Sequence, residues 1–120
     1  MVRLFSKAST RERGAAAEDM AAEHLRQHGL VVVARNWLCR RGEIDLICRD
    51  GNTLVFVEVR QRASSRFGGA AASITPAKQA RLIAAAQHYL LGVSPLPPCR
   101  FDAVCIDGET ISWIKHCIEA

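Results

Sequence analysis

The stretch GEIDLICRDGNTLVFVEVR, residues 42–60, reads as two β-rich runs joined by a turn, because Asp-Gly between apolar runs is a strong hairpin signal. Alternation along a strand places Asp45 on the face of Ile47, and it places Glu58 on the face of Phe56. Both faces are core-like, so two carboxylates point inward from neighbouring strands. Such a pair repels itself and loses hydration unless a cation or a shared proton compensates it.

The length of the hairpin loop decides which residues face each other. If residues 50–51 form a two-residue loop, Asp45 faces Phe56. A four-residue loop sets Asp45 opposite Glu58 instead. Both registers keep Asp45, Glu58 and Arg60 on one face, whereas a slip by one residue would separate them.

The remaining elements follow from hydrophobic periodicity and from turn and capping residues. They are a basic flexible arm at residues 1–9, a helix at Thr10–His28, strands at Leu30–Leu38, Gly42–Arg49 and Thr53–Arg60, a loop at 61–75, a helix at Pro76–Leu91 capped by Thr75, and strands at Arg100–Ile106 and Glu109–Ile114. The order α-β-β-β-α-β-β predicts a single α/β domain over residues 10–120, with a mixed β-sheet flanked by helices.

The whole chain has 120 residues, 49% of them hydrophobic, and a net charge of +4, which is enough for one core and one domain. Its five cysteines are odd in number and form no CxxC pair, which favours reduced thiols over a zinc site. No segment approaches the roughly 18 apolar residues of a membrane span, and the first ten residues lack the apolar core of a signal peptide. We therefore expect a cytoplasmic protein without a membrane partner.

The first helix carries one acid that differs from the others. At about 100° per residue, Asp19 and Glu23 share a face directed away from the apolar stripe. Glu18 lies at the margin of that stripe and is directed toward the sheet. It is either an ordinary boundary glutamate or a third acid beside Asp45 and Glu58, and the helical pattern leaves both interpretations open.

Basic residues dominate the second half of the chain up to Asp102, since no acid follows Glu58 before that position. The basic residues in this segment are Arg60, Arg62, Arg66, Lys78, Arg81 and Arg100. Two of them, Lys78 and Arg81, fall in the first turns of the second helix, where the helix dipole disfavours cations. This placement indicates either a phosphate-binding helix start or a solvated face. Arg100 and Asp102 are at strand spacing, which predicts a structural ion pair.

The two inward carboxylates suggest a metal site. Mg²⁺ and similar hard cations bind one or two carboxylates, waters and substrate phosphates. Asp45 and Glu58 offer that ligand set, with the Val59 or Val57 carbonyl as an extra ligand and Glu18 closing the site from the helix. A metal held there would assist hydrolysis of a phosphate ester, and a cation at position 60 would orient the attacking water or stabilise the transition state.

The runs at 42–47 and 56–62, with Phe67-Gly68, Lys78 and residues 100–102, resemble the YraN family of bacterial proteins. That family looks like a branch of the PD-(D/E)xK nuclease superfamily, close in shape to archaeal Holliday-junction resolvases. The resemblance covers the chain from Gly14 to Asp102. It implies a restriction-endonuclease-like fold, and it implies an acidic metal site, for Mg²⁺ or Mn²⁺ if the protein is active, at Glu18, Asp45 and Glu58.

One position departs from the superfamily pattern, which has lysine two residues after the second acid where this chain has Arg60. Arginine keeps the positive charge and can bind phosphate through two hydrogen bonds, but it does not release a proton near neutral pH. We therefore expect Arg60 to act through its charge. Gln61 could polarise a water molecule, and Lys78 could supply an ammonium group from the second helix.

The sequence leads to a nucleic-acid-binding protein of nuclease-like fold, a Mg²⁺-dependent DNA endonuclease if active. The alternative is a non-catalytic binding or scaffolding protein that keeps the carboxylates for folding. In either case the expected phosphate contacts are Arg62, Arg66, Lys78 and Arg81. A partner other than nucleic acid also remains open because the net charge is modest. Resolvase-like folds commonly pair, so the resemblance also allows a homodimer.

Overall fold

Two helices and five strands make up the described part of the chain. The computed structural model describes residues 10–62 and 73–118, with side chains from residue 14 onward. The elements are α1 (Thr10–Gln27), β1 (Val31–Cys39), β2 (Gly42–Asp50), β3 (Thr53–Arg62), α2 (Pro76–Leu90), β4 (Cys99–Asp107) and β5 (Thr110–Ile114). The predicted α-β-β-β-α-β-β order is confirmed. No described helix has the length and apolar character that a membrane crossing requires.

A glycine ends α1, and the predicted threonine caps α2. Gly29 follows α1 with a φ of 90°, a left-handed conformation that favours glycine and ends the helix. Thr75 caps α2, and its side-chain oxygen accepts a hydrogen bond from the Lys78 N–H at 3.3 Å. Pro76 occupies the first helical position, where its missing N–H costs nothing.

The five strands form one mixed sheet in the order β1-β2-β3-β4-β5. Strands β3 and β4 are parallel and the other neighbours are antiparallel. A parallel pair needs a crossover, which α2 supplies on one face of the sheet while α1 covers the other. The α1-side core contains Ala17, Ala21, Ala22, Leu25, Leu30, Leu46, Cys48, Val55, Val57, Val104 and Ile106. The α2-side core contains Ile44, Ile47, Leu54, Phe56, Leu82, Ala85, Ala86, Phe101 and Ile118.

The β2–β3 hairpin has the predicted position but a different loop. Asp50 pairs with Thr53, so the two loop residues are 51–52, one residue beyond the 50–51 alternative, and Arg49 pairs with Leu54 as in the register of the other alternative. Gly51 has a φ of 61°, the left-handed conformation that such tight loops require.

The β2–β3 ladder ends at the pair of Leu46 and Val57. Continued by one step, this register sets Asp45 opposite Glu58, which is the second of the two predicted registers. Past this point the Val59 N–H donates to the Asp45 carboxylate at 2.9 Å. The two strands separate here, and β3 continues beside β4 alone.

Strand β2 changes phase at Asp45. Ile44 packs in the α2-side core and Leu46 in the α1-side core, although residues two apart normally share a face. Asn36 of β1 lies opposite this point with a φ of 51°, which marks an irregularity in both strands. Simple alternation therefore does not hold across Asp45.

Strand β3 is two residues longer than predicted. Gln61 and Arg62 were expected in a loop at 61–75, but they pair with β4 as strand residues. The longer strand carries their side chains past the end of the β2–β3 ladder. The predicted phosphate contact Arg66 falls at 63–72, outside the described residues.

A buried carboxylate ties β4 to β5. Asp102 is fully buried, and both of its oxygens accept hydrogen bonds from the Arg100 Nε at 3.1 Å. The Trp113 Nε1 and the backbone N–H of His116 donate to it at 3.0 and 3.1 Å. Arg100 also reaches Asp50 at 2.9 Å. The predicted structural pair of Arg100 and Asp102 is confirmed.

We expect Asp102→Asn to lower the free energy of unfolding by about 3 to 5 kcal/mol, because it removes one partner of a buried ion pair. Urea unfolding followed by circular dichroism measures this change. Asp50→Asn is the matched control, since Asp50 is 38% exposed and binds the same arginine, and its loss should cost about 1 kcal/mol or less. Equal effects of the two changes would contradict the assigned role of Asp102.

Candidate active site

A cleft of about 650 Å³ opens where β2 and β3 separate, between the N-terminal halves of the two helices. The residues that line it are Gly14, Ala17, Glu18, Gly42, Glu43, Asp45, Glu58, Val59, Arg60, Gln61, Lys78, Arg81 and Leu82. All four predicted catalytic residues are in this set, as are Lys78 and Arg81 from the predicted phosphate contacts. The cleft therefore brings together residues from α1, β2, β3 and α2.

Gly42 begins β2 and lies beside α2. Its φ is 152°, in the range that side-chain-bearing residues rarely adopt. A Cβ atom built on it would lie 3.5 Å from the backbone oxygen of Arg81. That distance is an ordinary van der Waals contact, so the backbone conformation and not the available space favours glycine here. The start of β2 runs beside Arg81 of α2, which lines the same cleft as the acids.

Asp45 and Glu58 form a half-buried carboxylate pair. Burial and, after it, the nearby charges of Glu58, Glu18 and Glu43 together raise the pKa of Asp45 to about 7, against the lowering effect of the hydrogen bond from Val59. Burial likewise raises the pKa of Glu58, while Arg60 and a hydrogen bond from Asp45 oppose the rise. Both shifts have the same first cause, which is the burial of the two carboxyl groups in one cleft.

Arg60 lies against Glu58. Its Nε is 3.1 Å from the Glu58 Oε2, with the two side chains 25% and 14% exposed. The two atoms are not aligned as a hydrogen bond, and Nε is buried without a hydrogen-bond partner among the described residues. Arg60 therefore acts on Glu58 through its charge while part of its hydrogen-bonding capacity is unused.

The basic rim of the cleft comes from β3 and α2. Burial lowers the pKa of Lys78, and the neighbouring charges of Arg60, Arg62 and Arg81 lower it further, whereas Glu58 raises it. These residues are thus close enough to repel one another. Arg62, an exposed residue at the end of β3, belongs to this basic group without lining the cleft.

Glu18 enters the cleft from α1, as the helical pattern allowed, but it has a partner that the sequence did not suggest. The Arg35 Nη2 lies 3.6 Å from the Glu18 Oε1, and its Nη1 lies 2.7 Å from the Asp19 Oδ1. Glu18 is 13% exposed on its side chain. Among the described residues, no three acids, histidines or cysteines are close enough together to hold a metal ion as they stand.

Sequence reasoning missed Arg35 and Glu43. Arg35 reaches α1 from β1 beside the irregularity at Asn36, and no sequence signal other than the asparagine itself marks that point. Glu43 stands two residues before Asp45 in β2, and its charge raises the pKa values of both Asp45 and Glu58. A glutamate in the same motif as Asp45 could have been considered from the sequence.

Comparison with known proteins identifies the relatives of this chain. The profile of the Uncharacterised protein family UPF0102 matches residues 17–106. The chain belongs to this family. A UPF0102 protein of Dechloromonas aromatica is 62% identical over 112 residues, covering 93% of this chain and 92% of its own length. UPF0102 proteins of Cupriavidus taiwanensis and Nitrosomonas europaea are each 54% identical, covering 100% and 92% of this chain and 95% and 97% of their own lengths.

The span matched by the UPF0102 family contains the acids and bases of the cleft. Glu18 lies at its beginning, and Asp45, Glu58 and Lys78 lie within it. The YraN resemblance drawn from the sequence motifs concerns this same family. The matched span runs from within α1 to within β4, and it includes most of the residues that line the cleft.

The carboxylate pair makes stability depend on pH. The pKa of Asp45 rises from 3.8 to about 7 on folding, so the folded state binds more protons than the unfolded state between these values. The free energy of unfolding should therefore fall as pH rises from 4 to 7, by on the order of 3 kcal/mol. Urea unfolding at a series of pH values in EDTA measures this fall.

Asp45→Asn is the variant that isolates this effect, because asparagine keeps an oxygen to accept the Val59 N–H but does not titrate. The pH dependence should flatten in this variant. Asp19→Asn removes an acid that is 67% exposed on the same side of the molecule and should leave the slope unchanged. A wild-type protein whose stability rose between pH 4 and 7 would overturn the assignment of a raised pKa.

Proposed function

We propose that this chain is a nucleic-acid-binding protein that hydrolyses phosphodiester bonds of DNA with a divalent cation. The observation that carries the proposal is the half-buried pair of Asp45 and Glu58 in a cleft rimmed by Arg60, Lys78 and Arg81. A carboxylate pair attracts a cation, and a basic rim attracts phosphate. Their combination in one cleft suits a phosphate ester bound next to a metal ion.

The residues of the pair fit a hard cation. Asp45 and Glu58 supply carboxylate oxygens, and the burial and like charges that raise the pKa of Asp45 favour a positive charge beside the pair. Mg²⁺ or Mn²⁺ would be held by these two acids, with waters and substrate oxygens completing the ligand set. Glu18 is only a predicted third ligand, because its carboxylate pairs with Arg35 in this structure. The bound ion would supply a Lewis acid to the phosphate.

Arg60 and Lys78 take different parts in this proposal. Arg60 holds a permanent positive charge next to Glu58, where it would stabilise negative charge that develops on the phosphate. Lys78 reaches the same cleft from α2 and carries the ammonium group that strand β3 lacks. Gln61 lines the cleft one residue further and can orient a water molecule through its amide.

The basic residues at and beside the start of α2 would bind the phosphates that lie away from the reacting bond. Thr75 caps this helix, and its first turn contains no acid, so the helix N-terminus and Lys78 present positive charge together. Arg62 and Arg81 extend this positive charge on either side. The resemblance to resolvase-like nucleases supports DNA as the polymer, and the same contacts would also suit other nucleic acids.

We expect cleavage of DNA that depends on Mn²⁺ or Mg²⁺. Asp45→Asn and Glu58→Gln should each reduce the cleavage rate by more than about 100-fold, which is the largest loss typical of residues that only support a metal ligand. Gel assays on duplex, single-stranded and branched DNA with metal or EDTA measure it. Each variant keeps the shape of the residue that it replaces and one of its two side-chain oxygens, so binding of DNA without metal should persist.

The matched control for this assay is Glu23→Gln. Glu23 lies on α1 outside the cleft, with a side chain that is 60% exposed, and its change should leave cleavage at the wild-type rate. Cleavage that survives Asp45→Asn would exclude the proposed metal site and indicate a contaminating nuclease.

A non-catalytic DNA-binding protein is the second candidate, and the ion pair between Arg60 and Glu58 favours it. An arginine on a metal ligand competes with the metal and cannot shuttle a proton. This candidate requires binding that weakens with salt and survives both carboxylate changes, without cleavage in any metal. The same variants therefore separate the two candidates.

Arg60→Lys tests the strand position that distinguishes this chain from the nuclease pattern. The ammonium group of lysine is smaller than the guanidinium of arginine and exchanges a proton more readily. The cleavage rate should therefore rise by about 10-fold or more, as for an added general acid or base. Single-turnover cleavage rates across pH 6 to 9 measure the gain. Arg60→Gln serves as the comparison, since it removes the charge and should slow cleavage. An enzyme made slower by lysine would show that the guanidinium itself is required.

A further inference from the structure

Arg35 is the one cation found beside Glu18 among the described residues, and it binds two adjacent acids unequally. Its Nη1 makes a short contact of 2.7 Å with Asp19, whereas its Nη2 lies 3.6 Å from Glu18. The short contact anchors the guanidinium to an exposed side chain. The longer contact extends over a carboxylate that is 13% exposed and lines the cleft.

The path of β1 places this guanidinium on the α1 side of the sheet. Arg35 pairs with Leu46, which belongs to the α1-side core. Its neighbour Asn36 has a φ of 51° and lies opposite Asp45, at the point where β2 changes phase. The same irregularity therefore positions Asp45 in the cleft and Arg35 beside α1.

Glu18 therefore interacts both with Arg35 and, through its charge, with the carboxyl group of Asp45. It is near enough to Asp45 for its charge to affect that carboxyl group, yet it does not join Asp45 and Glu58 in a three-ligand cluster. Its nearest described cation is Arg35. An ion pair of this length without an aligned hydrogen bond is weak enough to be exchanged for a stronger partner.

We propose that Arg35 is a positioning residue that holds Glu18 away from Asp45 and Glu58, so that a divalent cation must compete with Arg35 for this third acid. This inference rests on the proposed function, because it concerns the metal site of that function. In this proposal, the short contact with Asp19 holds Arg35 in place, and Glu18 is the residue that changes partner from Arg35 to the cation.

Two effects of Arg35 on metal affinity have to be separated. Its positive charge repels a cation in the cleft at any position of Glu18. Its contact with Glu18 also withholds a ligand, and this second effect disappears when Glu18 cannot act as a ligand. A double-mutant cycle between the two residues measures the second effect alone.

The experiment is a calorimetric titration with Mn²⁺ of four proteins: wild type, Arg35→Gln, Glu18→Gln and the double variant. We expect the Kd for Mn²⁺ to be lower in Arg35→Gln than in wild type by about threefold or more. This change corresponds to the free energy of a partly exposed ion pair that the cation no longer has to break. In the Glu18→Gln background the same change should have a clearly smaller effect. The difference between the two backgrounds is the contribution of positioning.

The chain offers a matched control for the charge effect. Arg26 lies on α1 itself and pairs with Glu23 at 3.6 Å, with both side chains more than half exposed. Arg26→Gln removes the same charge outside the cleft and should change Mn²⁺ affinity little. Arg35→Lys keeps the positive charge, and this variant should bind Mn²⁺ with an affinity close to that of wild type. Arg35→Met retains the apolar stem and provides a second charge-free variant if glutamine impairs folding.

The outcomes distinguish this inference from the proposed function. If wild type binds Mn²⁺, Asp45→Asn abolishes binding, and Arg35→Gln has equal effects in both Glu18 backgrounds, the positioning role is wrong while the metal site stands. The positioning role is also wrong if Arg35→Gln weakens binding. If wild type and the Arg35 variants all fail to bind Mn²⁺, the metal site and the positioning role fail together.

Discussion

The separation of β2 from β3 is the constraint on which the site depends. The ladder stops after Leu46 and Val57, and the next backbone donor, from Val59, is taken by the carboxylate of Asp45. An unpaired strand N–H would be costly to bury, so the side chain compensates the end of the ladder while it becomes part of the cleft. Because β4 continues to support β3 past this point, Glu58 and Arg60 are held firmly although their former neighbour strand has turned away.

The charges of the cleft are balanced in pairs. Glu18 faces Arg35 and Glu58 faces Arg60, each pair partly shielded from solvent, whereas Asp45 accepts its hydrogen bond from the uncharged N–H of Val59. That difference explains why burial and its acidic neighbours move the pKa of Asp45 so far from its usual value. The expected pH dependence of stability and the proposed affinity for a cation therefore have one origin, which is the free-energy cost of a second negative charge at this carboxyl group.

Sequence patterns were sufficient for the order of elements, the start of the second helix and the placement of Asp45 and Glu58 on neighbouring strands. The helical pattern left the role of Glu18 open, and only the family resemblance implied its place beside the other two acids. Capping and hairpin signals are local, so they survive without knowledge of tertiary contacts. The position of the loop at 51–52 and the phase change at Asp45 depend on pairing between β1, β2 and β3, which no local pattern determines. Arg35 was missed for the same reason, since it is an ordinary strand residue until the irregularity at Asn36 directs it toward α1.

The two arginine–glutamate pairs have a common consequence for metal chemistry. A site with acids and no internal cations would bind a divalent ion strongly but would be unstable without it, through the repulsion that already raises the pKa of Asp45. Here Arg35 and Arg60 relieve that repulsion at two of the three acids. The fold thereby gains stability in the absence of metal, and under the proposed function the same contacts would reduce the free energy available for binding an ion. Under that proposal, a phosphate that engaged Arg60 would reverse this balance, because it would release Glu58 to the cation.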